Sequence, residues 1–413
     1  MFILAGFLLA APMTLGAAVD SVTDAAACHQ RLCYDENIRP FLDALAETTP
    51  EPRYPLQIIQ IGDSLTAGDM VSNGWRVRLQ QKHGTGGRGI LAAGRPYQGY
   101  ITWGITASQS AGWVTNSSFG RTYALGAPPL GLSSFTQTAR GIGETLGFTS
   151  DSPAQGFNLL VLCGVTGPDE GSVHVQMGSA QADWSFATSV SAAHCFSLTA
   201  PELATQALVT TTSAQKVSIT SMATFRSGGV VLSNLGVVGS QLKHFALTDD
   251  TVVHNELITY HPDLIVLAFG TNEGFTARLD LQAYETGLRQ QIARLRKLSR
   301  RDMPMLLVGA PDGNTRSAVL ANNGSTPPYQ CAAGWLTPAR LGDVREVQRR
   351  VARELGLAFW DWNAAMGGAC SAHSWRLREL MRGDHVHFNQ AGGDVVGHLM
   401  FDDLEAAAAR RAQ

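Results

Sequence analysis

The sequence predicts an α/β protein, a three-layer α/β/α arrangement around a parallel sheet, with an all-β sandwich inserted into it. Three observations carry that prediction. Apolar, β-branched runs alternate with helical periods in two separate parts of the chain, which implies parallel strands joined by helical crossovers. Between those parts, from about Gly99 to Gly229, Gly, Ser and Thr dominate, charges thin out and short alternating runs replace helical periodicity. Polar residues then follow the carboxyl ends of the predicted strands, the edge where open α/β sheets place their sites.

In chain order, Met1 to Ala11 is apolar and is followed by Pro12 and by Gly16-Ala17-Ala18. Residues 1–18 therefore read as a secretory signal peptide, although no basic residue precedes the apolar run; a short N-terminal anchor is the alternative. Residues 19–98 form the first part of the α/β domain. Asn37 to Ala46 suits a short helix, Pro50, Pro52 and Pro55 break the chain, and Ile58 to Ile61 is a strand buried on both faces. Trp75 to Gln81 continues as helix. The run Gly84-Thr85-Gly86-Gly87-Arg88-Gly89 lacks the Lys-Ser/Thr ending of a phosphate loop and reads as a flexible turn.

Residues 99–229 are the β insertion, with strands expected at Phe157 to Val161, Ser172 to Met177, Trp184 to Ala187, Ala207 to Thr211 and Val217 to Ile219. Trp103, Trp113 and Trp184 lie in it; each could stack on a sugar, but core packing is the commoner role. Residues 230–413 resume the α/β pattern. Strands are expected at Val230 to Leu235, Asp263 to Phe269, Met305 to Val308 and Ala358 to Asp361. Helices are expected within His244 to His261, over Leu281 to Leu298 and Pro338 to Leu355, and from Phe388 towards Ala409.

Composition bounds the function. The 413 residues are 45% hydrophobic and 16% charged, with a net charge of −3. No basic footprint exists for nucleic acid, so a nucleic-acid partner is excluded. Six cysteines allow 15 pairings. Their spacing suggests neighbours: Cys28 with Cys33, Cys163 with Cys195 and Cys331 with Cys370. None has zinc-ligand spacing. With the leader, this favours an oxidising compartment, periplasmic or secreted.

Gly62-Asp63-Ser64-Leu65 follows the first core strand. Asp and Ser are good helix caps, which is the plain reading of the pair. As a nucleophile, Ser64 would need a base to take its proton. The chain supplies one in Gly383-Asp384-His385-Val386-His387-Phe388. Asp384 and His387, three residues apart, can lie along one turn, the aspartate holding Nδ1–H and leaving Nε2 for the serine. His385 with His387 could instead ligate a metal, but no third ligand is evident nearby, and no metal or organic cofactor is expected.

With these residues in view, the sequence resembles the SGNH, or GDSL-type, hydrolase superfamily. The resemblance rests on Gly62-Asp63-Ser64-Leu65, Gly236, Gly270-Thr271-Asn272-Glu273 and Asp384-His385-Val386-His387-Phe388. It implies an SGNH-type fold, with Ser64 as nucleophile, His387 as base and Asp384 orienting it. It also implies an oxyanion hole made by Ser64, Gly236 and Asn272. A narrower similarity, carried by Leu235 to Leu242, Met366-Gly367-Gly368 with Trp375 and the long insertion, is to bacterial peptidoglycan O-acetylesterases. Their insertion resembles a carbohydrate-binding module; here it matches in position and texture. A cellulose-synthesis-associated branch is also similar. The implied function is an exported esterase that removes O-acetyl groups from a polysaccharide through an acyl-enzyme, the glycan being peptidoglycan or an exopolysaccharide such as acetylated cellulose or xylan. The implied partners are that acetylated polysaccharide and cell-envelope polysaccharide machinery. An O-acetyltransferase with the same triad, a non-catalytic glycan-binding protein and a lipase or thioesterase are the competing readings.

Overall fold

The computed structural model describes residues 27–50, 54–324 and 328–411. The leader expected over residues 1–18 lies outside them. Five parallel strands form the central sheet in the spatial order Ala358–Trp360, Met305–Val308, Leu264–Ala268, Leu56–Gly62, Val230–Gly236. The antiparallel pair Cys28–His29 and Leu32–Cys33 extends the Ala358–Trp360 edge. The chain starts at Leu56–Gly62, steps to one side for the next parallel strand and to the other side for the rest. That reversal opens a crevice at the carboxyl end of the first strand, the usual ligand position in such sheets.

Burial on both faces explains the unbroken apolar runs. Ile59, Ile61, Ile265, Leu267 and Leu307 face one layer with the helices Asp250–Tyr260, Leu281–Ser299 and Leu341–Leu355. Ile58, Val266, Leu306 and Trp360 face the other, with Arg39–Glu47, Met70–His83 and Gln390–Arg411.

The insertion is two antiparallel sheets packed face to face. One runs Ala180–Ser185, Ser172–Met177, Gln206–Thr211, Thr145–Ser150, Ile105–Gln109; the other runs Ala192–Ala204, Phe157–Thr166, Lys216–Phe225, Phe135–Arg140, Val114–Ser117. Trp113 and Trp184 are buried in the apolar layer between them, whereas Trp103 is exposed. The sandwich begins earlier than residue 99, because Gly89–Leu91 pairs with Met222 to Thr224. The glycine run before it is not a flexible turn. Gly86 N–H donates to the Val230 carbonyl (3.0 Å) and Arg226 N–H to that of Gly86 (2.8 Å). A Cβ at Gly87 would stand 2.6 Å from the Thr224 carbonyl oxygen. These glycines let the chain pass between sheet and sandwich.

Buried polar groups tie the two parts together. Glu256, on a helix of the α/β domain, accepts from Leu132 N–H (2.6 Å) and from the hydroxyls of Thr220 (2.7 Å) and Ser221 (2.6 Å) of the insertion. Disulfides join Cys28 to Cys33, Cys163 to Cys195 and Cys331 to Cys370. Among the described residues, no helix is long and apolar enough to cross a membrane.

Candidate active site

The strand Leu56–Gly62 ends in a turn that only a glycine allows. A Cβ on Gly62 would sit 2.3 Å from Thr66 Oγ1 and 2.5 Å from the Ala268 carbonyl. Asp63 follows, and its Oδ1 accepts from Leu65 N–H at 2.9 Å, capping the short helix Ser64–Ala67. Capping and site thus coexist: Asp63 is the cap, which leaves the Ser64 side chain to point elsewhere. It points to His387, with Oγ and Nε2 2.9 Å apart.

The histidine stands on a loop built by Asp384. One carboxylate oxygen accepts from the N–H groups of Val386 and His387, each at 2.9 Å; the other lies 2.9 Å from His387 Nδ1. Nδ1–H donating to Asp384 leaves a lone pair on Nε2 to accept from the serine O–H. Burial works to raise the Asp384 pKa, but the hydrogen bonds from the His387 ring and from both amides outweigh it and hold the carboxyl well below its usual range. His385 does not join this chain. Its ring stacks on Trp335 at 3.6 Å, and its Nδ1 lies 3.4 Å from Asn314 Oδ1.

Asn272 begins beyond Gly270, whose φ of 126° reverses the chain after the strand Leu264–Ala268. Its Nδ2 donates to the Ser240 carbonyl at 2.8 Å, which engages one of the two amide hydrogens. Its own carbonyl accepts from Gln241 Nε2 at 3.0 Å. Beneath it, the buried Glu273 accepts from Leu242 N–H (2.8 Å) and Gly270 N–H (3.1 Å). Burial pushes that carboxyl up to about 7.

Gly236 requires a correction. It is the last residue of its strand, opposite Gly62, and it is buried. A Cβ there would lie 2.2 Å from the Ala67 nitrogen and 2.7 Å from the Asp63 carbonyl oxygen. Its absent side chain lets the serine turn rest on the strand. Of the three residues expected at the oxyanion hole, Ser64 lines the cleft, whereas Asn272 and Gly236 do not. The turn after Gly236 does, through Val238. Ser240 N–H closes that turn on the Val237 carbonyl at 3.1 Å, and Gly239 takes the φ of 77° it needs, its own N–H outside the turn's bond.

The cleft over Ser64 and His387 has a volume of about 250 Å³. Tyr97, Gly99 and Ile101, from the segment entering the sandwich, form one wall; Met70, Val238, Arg382 and Phe388 complete it. Phe388 and Val238 fall in stretches the sequence singled out, but Met70, Tyr97, Gly99, Ile101 and Arg382 have no local motif, and sequence reasoning missed them. The same holds for the buried network under the serine turn. Asp69 accepts from the Ser72 hydroxyl (2.6 Å), from both Arg76 amino groups (3.1 and 2.9 Å), from Arg88 (3.0 Å) and from Trp103 N–H (3.0 Å). Arg88 also reaches Asn234 Oδ1 at 2.6 Å, and Asn234 donates to the Thr66 carbonyl at 3.0 Å. Burial lowers the Arg88 pKa to about 10.

A serine, histidine and aspartate linked at the switch point of a parallel sheet define a class. The family model described as GDSL-like Lipase/Acylhydrolase matches residues 213–395, a span holding Gly236, Asn272, Asp384 and His387 but not Ser64. A solved structure described as "Peptidoglycan O-acetylesterase in action, 5 min" is similar at 24% identity and a TM-score of 0.71, covering 90% of this chain and 96% of that one. The chain is thus similar to the GDSL-like lipase/acylhydrolase family over residues 213–395 and shares its fold with that solved structure. More distant structures include a Bacillus subtilis protein (14% identity, 77% of this chain, 98% of that one, TM-score 0.34) and a family two carbohydrate esterase from Cellvibrio japonicus (11%, 74%, 98%, 0.27). No curated protein matches the sequence.

Proposed function

We propose that the protein is a serine esterase acting outside the cytoplasm, which removes O-acetyl groups from a polysaccharide such as peptidoglycan. The observation that carries this is the continuous hydrogen-bond chain from Ser64 Oγ through His387 to Asp384. His387 Nε2 takes the serine proton as Oγ bonds to the acetyl carbonyl carbon. The negative charge on the carbonyl oxygen is met by the Ser64 amide, the free hydrogen of Asn272 Nδ2 and the Gly239 amide, which replaces that of Gly236. Collapse breaks the ester bond, and His387 returns its proton to the departing sugar oxygen. Water then attacks the acetyl-serine by the same route and acetate leaves.

Cleft size supports a short acyl group: about 250 Å³ takes an acetyl and part of a sugar ring, below the usual range for drug-sized ligands. The three disulfides support an oxidising compartment. The test is acetate release from acetylated peptidoglycan, cellulose and xylan fragments, with 4-nitrophenyl esters of increasing chain length beside them. The reading predicts acetate from at least one glycan, none with Ser64→Ala, and a steep fall beyond acetyl. Equal release by Ser64→Ala, or preference for long acyl chains, would refute it.

A further inference from the structure

His385 is a motif residue that the proposed reaction leaves idle. It sits between Asp384 and His387 in the chain, yet its buried ring lies flat on the Trp335 indole, with 3.6 Å between ring centres and 10° between planes. Its backbone has a φ of 58°, a left-handed conformation uncommon for a residue with a side chain. Both neighbouring peptide groups are held. His385 N–H donates to the Arg382 carbonyl at 3.2 Å, and the His385 carbonyl accepts from Asn314 N–H at 3.1 Å. The next two amides, of Val386 and His387, are the ones that bond Asp384. Turning His385 back to an ordinary φ would swing both amides, and the His387 ring with them, off the carboxylate.

Trp335 is itself anchored. It opens the second strand of the hairpin Gln330–Ala332 and Trp335–Leu336, and Leu336 exchanges two backbone bonds with Thr315, at 2.9 and 2.8 Å. Cys331 of that hairpin is tied to Cys370, at the start of the helix Ser371–Leu377, and Asn314 Nδ2 donates to Cys331 Sγ at 3.4 Å. The ring of His373, on that helix, stands 5.3 Å from the His385 ring. Burial lowers the His385 pKa, and His373, Arg376 and Arg316 act the same way, so the imidazole meets the indole as a neutral aromatic ring. We infer that His385 is a positioning residue: its stack on Trp335 holds the left-handed backbone that sets His387 against Asp384, a second support for the loop besides Asp384 itself. The inference takes its reaction from the esterase reading and its geometry from His385 and Trp335.

Long-range nitrogen–proton NMR spectra of the histidine rings read the His387 tautomer without any turnover; kcat and KM on 4-nitrophenyl acetate and the unfolding midpoint are measured beside them. In the wild type Nδ1 should carry the proton, because Asp384 accepts from it. Trp335→Ala removes a partly exposed side chain. It should shift His387 towards the Nε2–H form that free imidazole prefers and lower kcat by roughly 10–100-fold, with KM and the unfolding midpoint little changed. His385→Ala should shift the tautomer and kcat in the same way. Trp335→Phe keeps a flat ring for the stack and should retain most of both. A wild type that releases no nitrophenol, but whose His387 tautomer answers to Trp335→Ala, would end the esterase reading and leave this inference standing. A tautomer unshifted in both alanine variants, or a loss of kcat that only follows a fall in unfolding midpoint, would overturn it.

Discussion

Two aspartates flank the proposed reaction centre, one beneath the serine and one behind the histidine. Asp63 is 1% exposed and accepts one amide through Oδ1, while its Oδ2 is buried without a hydrogen-bond partner. The Asp384 side chain is 46% exposed and accepts three donors. Burial pushes Asp63 up to about 6, whereas hydrogen bonds draw Asp384 down. The lesson concerns placement. The proposed nucleophile stands on a turn locked into the core, and the proposed base stands on a loop whose order comes from its own aspartate. A carboxylate can orient an imidazolium only where water and amides keep it charged, and Asp63 is not in such a place.

The contrast is broken most severely by removing the chain of proton transfer. Ser64→Ala and His387→Ala should each lower kcat by about 10⁴-fold or more, with little change in unfolding midpoint, since both side chains are partly exposed. Asp384→Asn should cost about 10³–10⁴-fold by favouring the wrong tautomer, and steady-state acetate release measures it. Asn272→Ala removes one oxyanion donor and should lower kcat by roughly 10²–10³-fold with KM little changed; an unaltered kcat would take Asn272 out of the site.

The embedded turn answers to stability instead. Arg88→Met strands part of the Asp69 network and should cost about 3 kcal/mol in urea unfolding. The pH dependence of Asp63 is an effect of at most that size. Its folded pKa lies above the unfolded value, so its contribution to stability is full below about pH 4 and is lost as pH rises through about 6. Asp63→Asn keeps the Leu65 cap and should match wild type near pH 4 while exceeding it by up to about 3 kcal/mol at neutral pH. Asp384 works with the opposite sign, its contribution present above the unfolded carboxylate range and lost as pH falls.

What could be read in advance follows from how local each signal is. The strand Leu56–Gly62, the capped serine turn and the Asp384-to-His387 spacing are written within a few residues, so motif and periodicity reach them. The helices Leu281–Ser299 and Leu341–Leu355 come from apolar periods. By contrast, the glycine run before Arg88 is shaped by Thr224 and Phe225, far along the chain, and looked like a loop because only its composition was local. Gly236 kept its place in the pattern but not its expected role, because what a missing side chain avoids is visible only in three dimensions. Tyr97 and Arg382 form the cleft through the path of the chain, which no spacing encodes.

The proposed esterase depends on Ser64 being a nucleophile activated by His387. Incubation with an organophosphate followed by intact-mass and peptide mapping tests it most directly. One stoichiometric adduct is expected on Ser64, lost in Ser64→Ala and formed far more slowly in His387→Ala. An adduct that persists in Ser64→Ala, or labelling that is indifferent to His387, would contradict it.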